Sequence, residues 1–193
     1  AVLAFNLQSG GGFEIWQYKR RKPVEISEEV QAGNLGIFAC KIKVISVNKT
    51  LITFKKENIP VLGEPLPDPS GKLTLFLRDP FGNIFQMVEA DDWFMNEKKP
   101  TGGAYGVIIG VSDIEKARLI YSDILGYDEV EYDKTGTFPD LTMLPGGTDE
   151  LRRVLLKRSQ PVAGPFSRMF GQSEIELICK PGNPGRKIFE GRF

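Results

Sequence analysis

A strand-to-helix passage occurs twice in this sequence, at an offset of 67 residues. The two copies occupy residues 44–54 and 111–121, and they align without a gap. Six positions carry matching or similar residues: Val44, Ser46, Val47, Asn48, Lys49 and Phe54 in the first copy, and Val111, Asp113, Ile114, Glu115, Lys116 and Tyr121 in the second. In each copy a residue type that caps helices, Ser46 or Asp113, precedes the helical part. The chain therefore contains an internal duplication, which favours a fold built from two related units.

Downstream of the first copy, a predicted β-hairpin completes the unit. Residues 72–78 and 84–89 alternate between two side-chain sets, and they flank the turn Asp-Pro-Phe-Gly-Asn at 79–83. Pro, Gly, Asn and Asp between two such runs are typical of a hairpin turn. A strand pair of this kind covers a helix with one face and lines a cavity with the other.

The rest of the chain divides around these units. We expect the end of a partial unit at 1–22, a linker at 23–34, whole units at 35–90 and 104–180, and a tail or linker at 181–193. The first whole unit contains a strand at 37–44, a helix at 47–57, a loop at 63–71 and the hairpin. The second contains a strand from Gly106, a helix that stops at Gly126, and strands at 128–132, 141–144, 151–158 and 175–179. Its helix has an apolar stripe formed by Ile114, Ala117, Ile120, Tyr121, Ile124 and Leu125.

Composition excludes several classes of partner. Lys plus Arg and Asp plus Glu both number 25, so the net charge is zero, which argues against nucleic acid. No apolar run approaches the roughly 20 residues of a membrane span, so we expect no membrane partner. Cys40 and Cys179 lie in apolar strand-like runs and are expected to be free thiols under helices, in the cytoplasm. The chain has no His, which removes the commonest transition-metal ligand and the usual general base.

Several of these segments resemble one family. Residues 110–116, together with Tyr121 and residues 125–127, look like the opening strand and helix of a module of the vicinal oxygen chelate superfamily. The hairpin at 78–86 is similar to the last hairpin of such a module. The superfamily includes glyoxalases, bleomycin resistance proteins and extradiol dioxygenases. The resemblance implies an α+β fold in which repeated βαβββ modules form cup-shaped mixed sheets.

The resemblance also implies where a metal would bind. In this family a divalent metal lies in the cup, held by a residue near the start of the first strand and a Glu on the last strand of each module. The first-strand positions fall near Ala39 and Gly106, and the last-strand positions fall on Glu14, Gln86 and Glu176. Neither Ala nor Gly ligates a metal through its side chain. We therefore expect no metal cofactor within this chain, whereas a longer form of the protein has room for one.

The carboxylates among these positions are candidate catalytic residues. Glu176 and Glu14, in a partly apolar cup, are expected to have a raised pKa and to act as bases. The alternative is an outward strand face on which both are solvated. Six residues are candidate ligand contacts: Trp16, Tyr18, Gln86, Gly106, Arg78 and Arg153. We expect Gly106 to leave room for a ligand. If they face the cup, Arg78 and Arg153, with Lys41 and Lys43, can hold an anion, whereas on an outward strand face each is simply solvated.

Three functions are compatible with these residues. The first is a protein that binds a small molecule in the cup and has an incomplete metal site. The second is a metal-dependent lyase, isomerase or ring-cleaving dioxygenase whose His ligands lie in absent segments. The third is a resistance protein that sequesters a drug. Modules of this family pair, so we expect a homodimer or a longer multi-module chain to cover the apolar area and strand edges left open.

Overall fold

The computed structural model describes residues 1–22, 24, 26–95 and 97–191. Parts of the predicted linker (Pro23 and Glu25) and of the predicted tail (residues 192–193) lie outside the described residues, as does Asn96. The strands are β1 (Val2–Phe5), β2 (Gly12–Ile15), β3 (Gly36–Val44), β4 (Val61–Pro67), β5 (Leu73–Arg78), β6 (Ile84–Glu89), β7 (Thr101–Gly110), β8 (Glu129–Gly136), β9 (Leu151–Lys157) and β10 (Glu174–Cys179). The helices are α1 (Val47–Lys56), α2 (Ile114–Arg118) and α3 (Ser167–Phe170), with a π-helical segment at Leu119–Ile124 and a 3-10 turn at Pro139–Leu141.

Eight strands form one mixed, curled sheet in the order β4-β5-β6-β3-β7-β10-β9-β8. The order strand, helix and three strands occurs twice, from β3 to β6 and from β7 to β10. The first strands, β3 and β7, pair antiparallel at the centre, and each pairs parallel with the last strand of its own unit. The predicted α+β class is confirmed.

The helix of the first unit forms as its sequence predicts. Ser46 is the N-cap, and its hydroxyl accepts a hydrogen bond from the amide of Lys49. The buried residues Val47, Leu51 and Phe54 pack against one face of the sheet. Burial of this stripe holds α1 over β4, β5 and β6.

The helix of the second unit departs from its prediction after one turn. Asp113 caps it as expected, with its carboxylate accepting from the amide of Lys116. The following Leu119–Ile124 segment is π-helical. This wider winding rotates the later residues away from the sheet, so Ile120 and Ile124 are 53% and 74% exposed. The prediction of one continuous buried stripe is wrong for this half.

Two predicted loop and strand assignments are also wrong. Residues 61–67, within which we expected a loop from 63 onward, form the edge strand β4. Residues 141–144, expected as a strand, form successive turns in which Leu144 N–H donates to the Leu141 carbonyl and Gly147 N–H to the Leu144 carbonyl. These turns place Leu141 and Leu144 on the same side, and both are buried in the concave face of the sheet.

The first 22 residues form a small separate hairpin. Strands β1 and β2 pair only with each other among the described residues, and residues 16–22, predicted to continue the second arm, are not strand. The connecting loop is anchored, because Gln8 donates to the carbonyls of Lys99 and Thr101 and accepts from the Lys99 amide. The strands themselves expose apolar side chains.

Cys40 and Cys179 lie on the convex, helix-covered face of the sheet. Cys40 packs against the cluster under α1, and Cys179 against the cluster that contains Ile114 of α2. The predicted placement of both thiols is confirmed, and both are free. No helix among the described residues is long and apolar enough to cross a membrane.

Candidate functional site

A buried lysine lies at the centre of the concave face. Lys41 is on β3, and its side chain is 2% exposed. Its Nζ lies 2.6 Å from Glu174 Oε1 and 2.9 Å from Glu176 Oε2, both on β10. Because β3 belongs to the first unit and β10 to the second, this ion pair joins the two units across the middle of the sheet.

A buried arginine extends the same network. Arg153, on β9, donates from Nε to Glu176 Oε1 (2.6 Å) and from Nη1 to Asp140 Oδ1 (2.7 Å). Its guanidinium lies over the Phe138 ring, 4.8 Å from the centroid. The Arg153 and Glu176 side chains are fully buried. Arg153 was a predicted ligand contact, and the structure instead places it in an internal salt bridge.

Gly106 explains how Lys41 reaches β10. In the register of the sheet Gly106 on β7 lies between Lys41 and Glu174. A Cβ at position 106 would collide with the Glu174 carbonyl oxygen and contact its side chain. The missing side chain therefore allows the strands and the ion pair to approach closely, rather than leaving space for a ligand as the sequence suggested.

The charges of the network are fixed by their neighbours. Burial raises the pKa of Glu176, but Arg153 and Lys41 outweigh burial and lower it to about 2. Burial lowers the pKa of Lys41, and the two glutamates outweigh that effect and raise it. The expectation of a raised pKa for Glu176 is therefore wrong. An ionised, doubly paired carboxylate is a poor general base near neutral pH.

The divalent metal that the sequence resemblance implies does not fit these residues. The Glu174 and Glu176 carboxylates already bind the ammonium of Lys41, which would repel a divalent cation at that place. No cluster of three His, Cys, Asp or Glu residues among those the structure describes has the geometry to hold a metal ion. The residues do not fit the metal, and we derive no chemistry from it.

The remaining space of the cup is filled by the chain itself. Phe138, Leu141 and Leu144 pack against apolar residues of the central strands, including Ile108. Gln86, a predicted ligand contact on β6, is 1% exposed, and its Oε1 has no hydrogen-bond partner among the described residues. Gln86 therefore belongs to the packed interior and does not line an open site.

The larger of two cavities formed by the described residues lies at one end of the sheet. A cavity of about 810 Å³ is bounded by the start of β3, the end of β5, the hairpin turn and the start of β6. Its lining residues are Phe13, Ile26, Glu28, Glu29, Val30, Gly36, Ile37, Phe38, Ala39, Cys40, Arg78, Phe81, Gly82, Asn83, Ile84, Phe85 and Phe189. Most are apolar, and the volume lies within the range of small-molecule sites.

Among the described residues that line this cavity, Arg78 is the one with a positively charged side chain. Its Nη1 and Nη2 both donate to one oxygen, Glu29 Oε1, at 3.1 Å. Its Nε is buried and has no hydrogen-bond partner in the described part of the chain. The structure thus places this predicted ligand contact in the cavity wall. Burial raises the pKa of the neighbouring Cys40 thiol to about 11, so that thiol is a weak nucleophile.

A second cavity of about 400 Å³ lies at the opposite end of the sheet. Asp92 in its wall accepts hydrogen bonds from the Gln172 amide and pairs with Lys43 at 2.8 Å. Its wall also contains Trp93 and Arg168. This cavity is smaller, and the Asp92 carboxylate in its wall is already neutralised by the buried Lys43.

The structure does not bring the N-terminal candidates to either site. Glu14 is exposed on β2, and Trp16 and Tyr18 beyond it are 62% and 54% exposed. Glu14 and Glu176 therefore do not share a cup in this chain. Sequence reasoning missed Glu29 and Asp140, which reach their partners only through the fold. Glu174 carried a signal, because it shares a strand face with Glu176.

Comparison with known proteins finds similarity of structure only. No family model and no curated protein matches this sequence. A proposed dioxygenase from Bacillus subtilis has 14% identity and a TM-score of 0.52, over 94% of this chain and 51% of that one. Glyoxalase I from Zea mays has 17% identity and a TM-score of 0.46, over 79% and 45%. Methylmalonyl-CoA epimerase from Streptomyces coelicolor has 14% identity and a TM-score of 0.39, over 76% and 98%. The chain spans about half the length of the first two proteins.

Proposed function

We propose that this chain, which has the fold of the vicinal oxygen chelate superfamily, binds an apolar small molecule in the cavity at the start of β3 and β6. The observation that supports this most strongly is the cavity of about 810 Å³. Aromatic and aliphatic side chains form most of its wall, and Arg78 supplies a fixed polar group. Pockets of this composition are the usual form of small-molecule sites.

Binding without chemistry fits the interior better than catalysis does. In the cup, Glu176 is ionised and held by Lys41 and Arg153. Cys40, which lines the cavity, has a thiol pKa of about 11. Near neutral pH, Glu176 is therefore a poor acceptor of a substrate proton, and the Cys40 thiol is a poor nucleophile. The metal-dependent lyase, isomerase or dioxygenase is therefore less favoured than the binding protein.

A neutral fluorescent probe tests the proposal. N-phenylnaphthylamine, an uncharged aromatic molecule, should bind with saturable fluorescence enhancement. The Ile37→Trp variant should abolish this binding, because Ile37 is 59% exposed and lines the cavity. Ile52→Trp is the matched control, because Ile52 is 68% exposed on α1 and outside the cavity wall. Equal binding by both variants would show that the probe binds elsewhere.

We propose that the protein is located in the cytoplasm, because both of its thiols are free. We further propose that the β1–β2 hairpin is an association surface. When the chain is alone, a second copy covers this surface, whereas in a longer protein another module takes that role. The exposed apolar side chains of both strands support this proposal.

A further inference from the structure

We infer that the cavity selects apolar ligands that carry one anionic oxygen group, and that this group binds Arg78 in competition with Glu29. The inference rests on the proposed function and names the ligand class of the same site. It follows from the geometry of the Arg78–Glu29 pair, the charges around the cavity and the exposure of Glu29.

The Arg78–Glu29 pair leaves part of the guanidinium unused. Both terminal nitrogens share the single oxygen Oε1 at 3.1 Å. The Nε–H is buried and has no partner among the described residues. An arginine binds a carboxylate or a similar oxyanion best with two parallel N–H···O bonds. Once Glu29 is displaced and the guanidinium turns toward the cavity, a ligand anion with two oxygens can bind Nε and a terminal nitrogen together, an arrangement that Glu29 does not make.

The charges around the cavity favour such an anion at Arg78 only. Glu28, also in the wall, pairs with Arg186 at 2.6 Å, so its charge is balanced outside the site. Arg78 is the cation among the described lining residues. Most of the other lining side chains are apolar, among them Phe38 and Phe85. A bound molecule therefore meets one positive group in a wall that is otherwise mostly apolar.

Glu29 can be displaced at little cost. Its side chain is 58% exposed, and the Arg78 side chain is 35% exposed. Ion pairs of this exposure contribute little to stability, because water screens them. Glu29 thus occupies Arg78 in the free protein and yields to a ligand anion that makes two bonds in the more buried position.

The test uses two probes that differ in one group. Anilinonaphthalene sulfonate is N-phenylnaphthylamine with an added sulfonate, so a comparison of the two isolates the anion. We expect Arg78→Gln to lower sulfonate-probe affinity about tenfold and to lower neutral-probe affinity far less, because only the sulfonate loses a charged partner. Glu29→Gln should raise sulfonate-probe affinity about twofold to fivefold by removing the competitor. Glu64→Gln, which removes an exposed partner of Lys55, is the control and should change neither probe.

The outcomes separate the two proposals. If the neutral probe binds and is blocked by Ile37→Trp, but Arg78→Gln affects both probes equally, Arg78 only shapes the wall and the inference is overturned. The inference is also overturned if Glu29→Gln weakens binding of the sulfonate probe. If neither probe binds at the cavity, the proposed function itself fails. Circular dichroism of each variant confirms that it is folded before its affinity is compared.

Discussion

At the scale of single residues, Glu176 controls the acid stability of the fold. Its pKa in the folded chain is about 2, against an ordinary value of 4.5. A carboxyl whose pKa is depressed by folding stabilises the fold above its unfolded pKa, and this contribution is lost as the pH falls through the folded pKa. For this shift the contribution is roughly 3 kcal/mol near neutral pH. We expect stability to fall steeply between about pH 4.5 and about pH 2.

Urea unfolding across this pH range provides the measurement. Glu176→Gln should be less stable than the parent near neutral pH by about 3–5 kcal/mol, because Lys41 and Arg153 lose their buried partner. Its stability should also depend less on pH in the acid range. Glu64→Gln, at an exposed pair, should follow the parent chain. An unchanged acid dependence in Glu176→Gln would contradict the assignment of the ion pairs.

Lys41 leads to a separate prediction about metals. Because its ammonium already binds Glu174 and Glu176, we expect no divalent metal at the centre of the cup. A chelator should leave the melting temperature unchanged, and elemental analysis after dialysis against zinc, nickel or manganese should find no stoichiometric metal. One equivalent of metal that Glu176→Gln abolishes would overturn this prediction.

At the scale of secondary-structure elements, the centre of the sheet depends on a glycine. Gly106→Ala places a Cβ against the Glu174 carbonyl oxygen and next to the Lys41 ion pair. We expect a loss of about 3 kcal/mol in the free energy of unfolding. Binding of N-phenylnaphthylamine per folded molecule should not change, because Gly106 does not line the cavity.

Gly82 provides the comparison for this variant. It lies in the hairpin turn with φ 89° and open space around it, so Gly82→Ala should cost only about 1–2 kcal/mol through backbone strain. If Gly106→Ala instead kept its stability and lost probe binding, Gly106 would be a ligand contact, as its sequence position first suggested.

The elements with local signals were predictable, and those fixed by distant contacts were not. Ser46 and Asp113 each bond to an amide three residues ahead, so both helix starts could be predicted from sequence. The π-helical winding after Arg118 has no comparable signal, whereas the turns around Leu141 carry one in Pro139 and Pro145-Gly146, which the strand predicted at 141–144 overlooked. The turns form because the concave face of the sheet has space that Phe138, Leu141 and Leu144 fill. That space exists only after both units have paired.

At the scale of the whole molecule, the duplication predicted the paired units but not the site. The pattern of the two copies led to the α+β sheet, while family positions led to Glu14, Gln86 and Glu176 as one type of site. The structure separates them, because Gln86 and Glu176 are internal and Glu14 lies on the outlying hairpin. Arg78 lies in the cavity wall because it ends the hairpin strand that borders the turn, and its contact with a ligand stays a prediction. Glu29 was not predictable, since its partner lies 49 residues away.

The hairpin itself gives the final prediction, which concerns assembly. Val2 and Ile15 are directly paired across β1 and β2, and they are 65% and 58% exposed. Leu3 and Trp16 are also exposed, to 59% and 62%. An isolated two-stranded sheet is marginally stable in water, and open apolar strand edges favour pairing with another chain. We therefore expect light scattering to show a mass above that of one chain, rising with concentration.

Lysines on the hairpin should reverse this association. The double variant Val2→Lys and Ile15→Lys places two like charges on the exposed pair, and charge of this kind blocks edge-to-edge contact. Light scattering should then give the mass of one chain. The variant should remain folded, because the Gln8 contacts to Lys99 that anchor the loop are unaffected. Ile52→Lys, which charges an exposed position on α1, should associate like the parent chain. If the parent chain is a monomer at every concentration, the hairpin is not an association surface between copies of this chain.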